Sequence, residues 1–167
     1  MLVEDKSRVD EVLKAIEELN SMYVVIGILS SVSGKMLMIA SVQEFGTNIK
    51  VTKKMRGYLG YLGLHLRKDT EYIKIPERSY IRSSFDAKSG ELLEKGDMLD
   101  EVLQGNITAT EFYNILGQTC VQTIQDYLVE LDAPPNHPLT VARKHSSNPL
   151  VDTGHLMSSI TYEIRSR

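Results

Sequence analysis

Residues 152–154 read Asp-Thr-Gly, behind the apolar lead-in Leu150-Val151. In aspartic proteases this tripeptide supplies one of two aspartates that share a proton and activate water. A homodimer can bring the second aspartate, so a single copy does not exclude the chemistry. The substrate-binding sheet and flap of a retroviral-type protease, however, follow the tripeptide, and here only residues 155–167 do. The expectation is structural instead. Asp152 should cap a short helix over residues 153–159 by accepting from its orphan N–H groups.

A second candidate is VVIGILSSVSGKM, Val24 to Met36. Strand, Gly27, loop, Gly34-Lys35 and helix imitate a phosphate-binding P-loop. That loop needs four residues between its glycines and Ser or Thr after its lysine, to hold magnesium. Here residues 28–33 intervene and Met36 follows the lysine, so a plain turn between strand and helix is expected. His65, His137, His145 and His155 lack the spacing or the Cys/Asp companions of a metal site. Cys120, the single cysteine, sits in an apolar helical pattern and reads as a packed core thiol. No catalytic, metal-binding or cofactor-binding residue is therefore predicted, and a non-enzymatic protein is expected.

The basic residues form a stronger pattern. Lys50, Lys53, Lys54, Arg56, Arg67, Lys68, Lys74, Arg78 and Arg82 are interleaved with Tyr58, Tyr61, Tyr72 and Tyr80. Cations and aromatic rings together can track a nucleic-acid backbone and stack on bases. No nucleic-acid-binding fold signature accompanies them, and the net charge is −3. Residues 35–88 carry eleven Lys/Arg against five Asp/Glu, whereas both flanking segments are acidic. A basic middle between acidic ends predicts self-association or contact with a polyanion.

The elements that must position these residues follow from periodicity. At 167 residues the chain matches one domain, able to remove roughly 70% of its unfolded surface from water without a staple. No stretch reaches the roughly 18 apolar residues of a membrane span. The charged N-terminus does not read as a secretory signal. Val9, Val12, Leu13, Ile16 and Leu19 mark an opening amphipathic helix, and 22–29 is a β-branched strand. A helix over 35–45 should end at Gly46 in a left-handed stop. Residues 47–70, with Gly57, Gly60 and Gly63, are expected to be a basic, partly ordered arm or loop. A short strand at 71–76 is ended by Pro76. A charged helix over 83–103 is interrupted at Gly90 and Gly96.

Thr108 to Glu111 is a capping box that opens the longest helix. Its apolar stripe is Phe112, Ile115, Leu116, Cys120, Ile124, Tyr127, Leu128 and Leu131. After a proline-rich turn and one helical turn at 139–145, the alternating ITYEIR, 160–165, reads as an edge strand. The prediction is one α+β domain over 1–167, with a small, mostly antiparallel sheet against a long amphipathic helix and several shorter helices.

Three separated pieces, in order, carry a resemblance. They are Glu44-Phe45-Gly46 within IASVQEFGT, then IKIPERSYIRSSFD at 73–86, then PLVDTGHLMSSITYEI at 149–164. Together they resemble the tail-completion and head–tail joining proteins of tailed bacteriophages, the group that contains minor tail protein Z and related virion morphogenesis proteins. Ser79 stands where the pattern has proline, which predicts a looser turn, and the basic arm is longer than in compact members.

The resemblance implies a structural virion protein of a phage or prophage, made in the bacterial cytoplasm and placed at the head–tail junction. There it would form a homo-oligomeric ring that caps the tail tube, beside tail terminator proteins, and meets the head connector or head-closure proteins. A head-closure role and a nucleic-acid accessory role through residues 50–82 are the alternatives. On this reading Pro76 stops a strand, and Arg78 and Arg82 pair with acids of a neighbouring copy. Asp152 caps the last helix, Thr153 completes its tripeptide, Gly154 permits a tight backbone approach, and Leu156 with Ile160 anchors the terminal strand. Lys50, Lys53, Lys54, Arg56, Arg67, Lys68 and Arg82 would face subunits or touch passing DNA non-specifically. No membrane contact is implied.

Overall fold

The structure, a computed structural model, describes residues 8–29, 32–93, 97–144 and 148–167. Part of the predicted 30–34 turn, the break at Gly96 and His145 fall outside them. The described elements, in order, are α1 (Val9–Ser21), β1 (Met22–Gly27), α2 (Gly34–Phe45), β2 (Thr47–Lys50), α3 (Lys53–Tyr61) and β3 (Tyr72–Ile75). They continue with α4 (Ile81–Leu93), α5 (Asp97–Leu103), α6 (Ala109–Glu130), α7 (Pro138–Lys144), α8 (His155–Ser158) and β4 (Thr161–Ser166). The α+β architecture is as expected, but the expected single sheet is two separate antiparallel ribbons, β1–β4 and β2–β3.

Helix α6 is the spine. Its capping box forms: the Glu111 N–H donates to Thr108 Oγ1 at 3.1 Å, and the Thr108 N–H donates back to Glu111 Oε2 at 2.8 Å. Its inner face buries Ala109, Gly117, Ile124 and Leu128, whereas Ile115 of the predicted stripe is exposed. The helix lies on the β1–β4 ribbon, whose register pairs Met22 with Ser166 and Gly27 with Thr161. Contact is close because Gly117 has no side chain: a Cβ there would come within 2.3 Å of the Tyr162 ring. Tyr162 Oη then donates to Asn114 Oδ1 at 3.0 Å. Ala40, Tyr80, Leu150, Leu156 and Ile160 close over Ile124 and Leu128 to form the main core. Leu156 and Ile160 thus anchor the entry to β4, as expected.

Residues 47–70 correct the sequence reading. They are not a loose arm but strand, helix and tethered return loop. Thr52 caps α3 by accepting from the Met55 N–H at 3.1 Å. At the far end Leu64 N–H donates to the Leu59 carbonyl at 2.8 Å and Gly63 N–H to the Gly60 carbonyl at 3.0 Å. That is a Schellman closure, with Gly63 at φ +88° in the position that needs it. Arg56 then staples the loop back onto the helix, donating to the carbonyls of Arg67 at 2.7 Å and Thr70 at 2.8 Å. Caps at both ends and a guanidinium across the loop outweigh the low helix propensity of Gly57 and Gly60.

Candidate functional site

Two of the three motifs meet where α2 ends. Glu44 occupies the last turn of α2 and is 5% exposed. Its Oε2 accepts from the N–H groups of Tyr80 at 2.9 Å and Ile81 at 3.1 Å. Its Oε1 accepts from Ser79 Oγ at 2.8 Å, and from Arg82 N–H and Arg82 Nε, each at 3.1 Å. The carboxylate therefore caps the N-terminus of α4 from another helix, satisfying donors that a helix start leaves without partners. Its negative charge also meets the positive end of the α4 dipole. Burial alone would raise the Glu44 pKa, but the backbone donors Ile81 and Arg82, with Ser79 and the Arg82 side chain, hold it below the ordinary carboxylate value. Ser79 thus supplies one of five donors, and the turn predicted to be looser is tied down through it.

Arg82 frames the site from outside. Its Nη2 donates to the Glu44 carbonyl at 3.0 Å and to Glu77 Oε1 at 2.7 Å, and its guanidinium carbon lies 4.7 Å above the Phe45 ring. Hydrogen bonding to Glu44, with a further contribution from Glu77, raises its pKa despite some desolvation. Gly46 lets the two motifs cross: a Cβ would stand 2.7 Å from the Glu77 nitrogen and 2.9 Å from the Ile75 oxygen. Its φ of +67° is positive as expected, but its ψ of 173° is extended rather than left-handed helical. Pro76 follows β3 directly, as a strand stop should.

Arg78 is used inside the chain, contrary to the expectation that it reaches a neighbour. It is 5% exposed, and Nε donates to the Pro134 carbonyl at 2.7 Å, Nη2 to Pro135 at 3.1 Å and Nη1 to Gln43 Oε1 at 3.2 Å. Among the described residues it has no acidic partner within salt-bridge distance. Burial lowers its pKa, and the carbonyl oxygens supply the solvation.

The third motif joins through this turn. Asn136 Nδ2 donates to the Pro149 carbonyl at 3.2 Å, and Asn148 Oδ1 accepts from the N–H groups of Leu150 and Val151 at 2.8 Å. Asp152 does not cap α8. The cap position is Gly154, at φ 77° and ψ −3°, with no side-chain cap bond, and Asp152 and Thr153 are exposed. Nor does Gly154 admit a tight approach, because a Cβ there would meet nothing within 4 Å. The close approach belongs to Gly46, and Gly154 serves its backbone angle alone.

Of the predicted subunit- or DNA-facing cations, Lys50, Lys53, Lys54, Arg67 and Lys68 are exposed on β2, α3 and the return loop. Arg56 is committed to its staple and Arg82 mainly to Glu44. Sequence reasoning missed Gln43 and Asn136, which link the motifs, and the long-range capping role of Glu44. Among the described residues no group of three or more His, Cys, Asp or Glu is placed to hold a metal ion, and no helix is long and apolar enough to cross a membrane. Comparison with protein-family models, with curated proteins and with solved structures finds no match to this chain.

Proposed function

We propose that this chain is a structural protein of a tailed phage or prophage that completes the tail end and joins it to the head as a ring. The observation that carries the reading is the Glu44 hub. Glu44, Ser79 and Arg82 of the E-F-G and I-P-E-R-S-Y-I-R motifs are spent on hydrogen bonds that lock α2 to α4, and Arg78 on bonds to Gln43 and the 134–135 turn, instead of being presented to a substrate. Motifs of this kind suit a rigid building block better than an enzyme, and their order along the chain is that of the tail-completion pattern. A head-closure protein beside the connector would use the same rigidity and is distinguished by its place in the particle.

The test is deletion of the gene from its resident phage or prophage, followed by induction and negative-stain electron microscopy of the lysate. Filled heads beside separate tails are expected. Normal infective particles would reject the assignment.

One observation favours a second reading. Tyr58, Tyr61 and Tyr72 are 56%, 87% and 54% exposed, and Lys50, Lys53 and Lys54 are exposed nearby in sequence. Such a surface fits non-specific contact with DNA. Affinity for a DNA strand should then fall steeply with added salt.

A further inference from the structure

We propose that α1 of one copy docks into the groove between α3 and α7 of the next copy, forming a head-to-tail interface. This deepens the ring reading by naming its contact surfaces.

Helix α1 buries only part of its apolar surface. Val12, Ala15 and Leu19 are half-buried where it meets α5, β1 and α6, but Val9, Leu13 and Ile16 are 58%, 53% and 39% exposed. With about 3.6 residues per turn, those three line up as one stripe beside the inward face, and Asp10 and Glu17 border it on the solvent side. The helix carries Asp10, Glu11, Glu17 and Glu18 against Lys14. Among the described residues only Glu11 of these acids has a salt bridge, to Arg8. This leaves an acidic helix with an exposed apolar stripe open to a second copy.

The complementary surface lies elsewhere on the molecule. A groove of about 630 Å³ runs between α3, β3 and α7, with Leu59, Leu62, Ile73 and Leu139 contributing apolar surface. Lys74 and Arg143 stand exposed on its rim, and neither has an acidic partner among the described residues. Among the described residues Asp152 is the one acid lining it; burial lowers the Lys144 pKa, and the Asp152 charge offsets only part of this. An apolar floor with a basic rim matches an apolar stripe with an acidic border. Duplex DNA would use the rim but leave the floor uncovered, so the floor favours protein. Because the two surfaces differ, each contact leaves both available for another copy, and repetition gives a ring or a filament.

The experiment is sedimentation velocity on the full chain at concentrations up to about 1 mM, where even weak association is detected. Lys74→Glu with Arg143→Glu should weaken self-association about tenfold or more, as should Asp10→Lys with Glu17→Lys. All four together should restore it to within about threefold, because the charges match again. Leu13→Asp should weaken it roughly thirtyfold with an unchanged melting curve, since Leu13 is exposed in the single copy.

A monomer at all concentrations, or association that ignores these changes, overturns the proposal. So does binding of a labelled DNA duplex that needs Lys74 and Arg143 while self-association does not. Association that ignores the swaps, together with separated heads and tails in the deletion lysate, would sink the docking pair alone. Association that obeys them, together with normal particles, would sink the virion reading alone.

Discussion

Arg82 Nε donates to Glu44 Oε1 at 3.1 Å across a separation of 38 residues, and the same guanidinium lies over Phe45. One side chain therefore touches two residues of the first motif, Glu44 and Phe45, while its own backbone N–H is being capped by Glu44. The pair is half exposed on the arginine side and buried on the glutamate side. The stabilising weight should accordingly rest on the glutamate and its backbone donors, since an exposed partner is screened by water.

Glu44→Ala removes the acceptor for the N–H groups of Tyr80, Ile81 and Arg82 and for Ser79 Oγ. Leaving buried donors without partners costs about 1–3 kcal/mol each, less where water enters. A loss of about 3 kcal/mol is expected, with Glu44→Gln losing about half as much because one amide oxygen remains. Urea unfolding monitored by circular dichroism measures both. A Glu44→Ala stability within about 0.5 kcal/mol of wild type would show that the hub is incidental.

Acid should weaken the same lock. The Glu44 pKa is lowered on folding from 4.5, so between the two values the unfolded state binds more protons than the folded one. Stability then rises with pH across that window. The contribution is present above the unfolded value and is lost as pH falls through the folded one. Unfolding free energy measured from neutral pH to below pH 4 should drop in wild type, and Glu44→Gln should remove part of that slope. An identical slope in the variant would assign the acid sensitivity to other carboxylates.

Tyr80 should contribute to the loss of stability at alkaline pH. It is 0% exposed and, among the described residues, its hydroxyl has no hydrogen-bond partner. Burial first, and the Glu44 charge second, raise its pKa above 10.0. A raised folded value means full stability below the unfolded pKa and loss as pH climbs above it. Tyr80→Phe should flatten the decline above pH 10 and leave neutral-pH stability unchanged or higher by about 1 kcal/mol, because an unpaired buried hydroxyl is removed. A variant destabilised by more than about 2 kcal/mol would point to a partner for that hydroxyl.

Gly46 and Gly154 both have positive φ but should differ under substitution. Alanine at Gly154 strains only the backbone, since nothing lies within 4 Å, and should cost about 1 kcal/mol. Alanine at Gly46 adds a Cβ 2.7 Å from the Glu77 nitrogen, where backbone must move, and should cost about 3 kcal/mol or more. Thermal melts of the two variants make the comparison. Equal shifts would mean that the crossing of the two motifs relaxes freely.

Local signals in the sequence were sound where both partners lie close together. The Thr108–Glu111 box and the Ile124–Leu128 core face are separated by three and four positions, and each is present in the fold. Glu44 was legible only as part of a pattern, because its donors lie 35 to 38 residues away and a helical glutamate otherwise reads as solvated charge. Asp152 misled for the opposite reason: a good capping residue stands two positions early, and the chain turns at Gly154 instead. The segment 47–70 looks loose in sequence because its three glycines are conspicuous, whereas the Thr52 cap lacks the acidic companion that marks a capping box.

That segment provides the last test. Arg56 donates to the carbonyls of Leu66, Arg67 and Thr70, and these bonds alone carry its guanidinium's described contacts to the return loop. Arg56→Ala removes the staple but leaves the Thr52 cap, the Gly63 closure and the β2–β3 ribbon. The loop at 64–70 should therefore open locally while the molecule stays folded, since sub-global opening costs less than global unfolding. Hydrogen–deuterium exchange should rise at least about tenfold in peptides covering 62–70, with α6 peptides unchanged. Lysine at the same position keeps the charge but not the forked donors, so Arg56→Lys should recover little of the protection. Wild-type exchange in Arg56→Ala would mean that the caps hold the loop unaided; loss of protection in α6 as well would make Arg56 part of the global core.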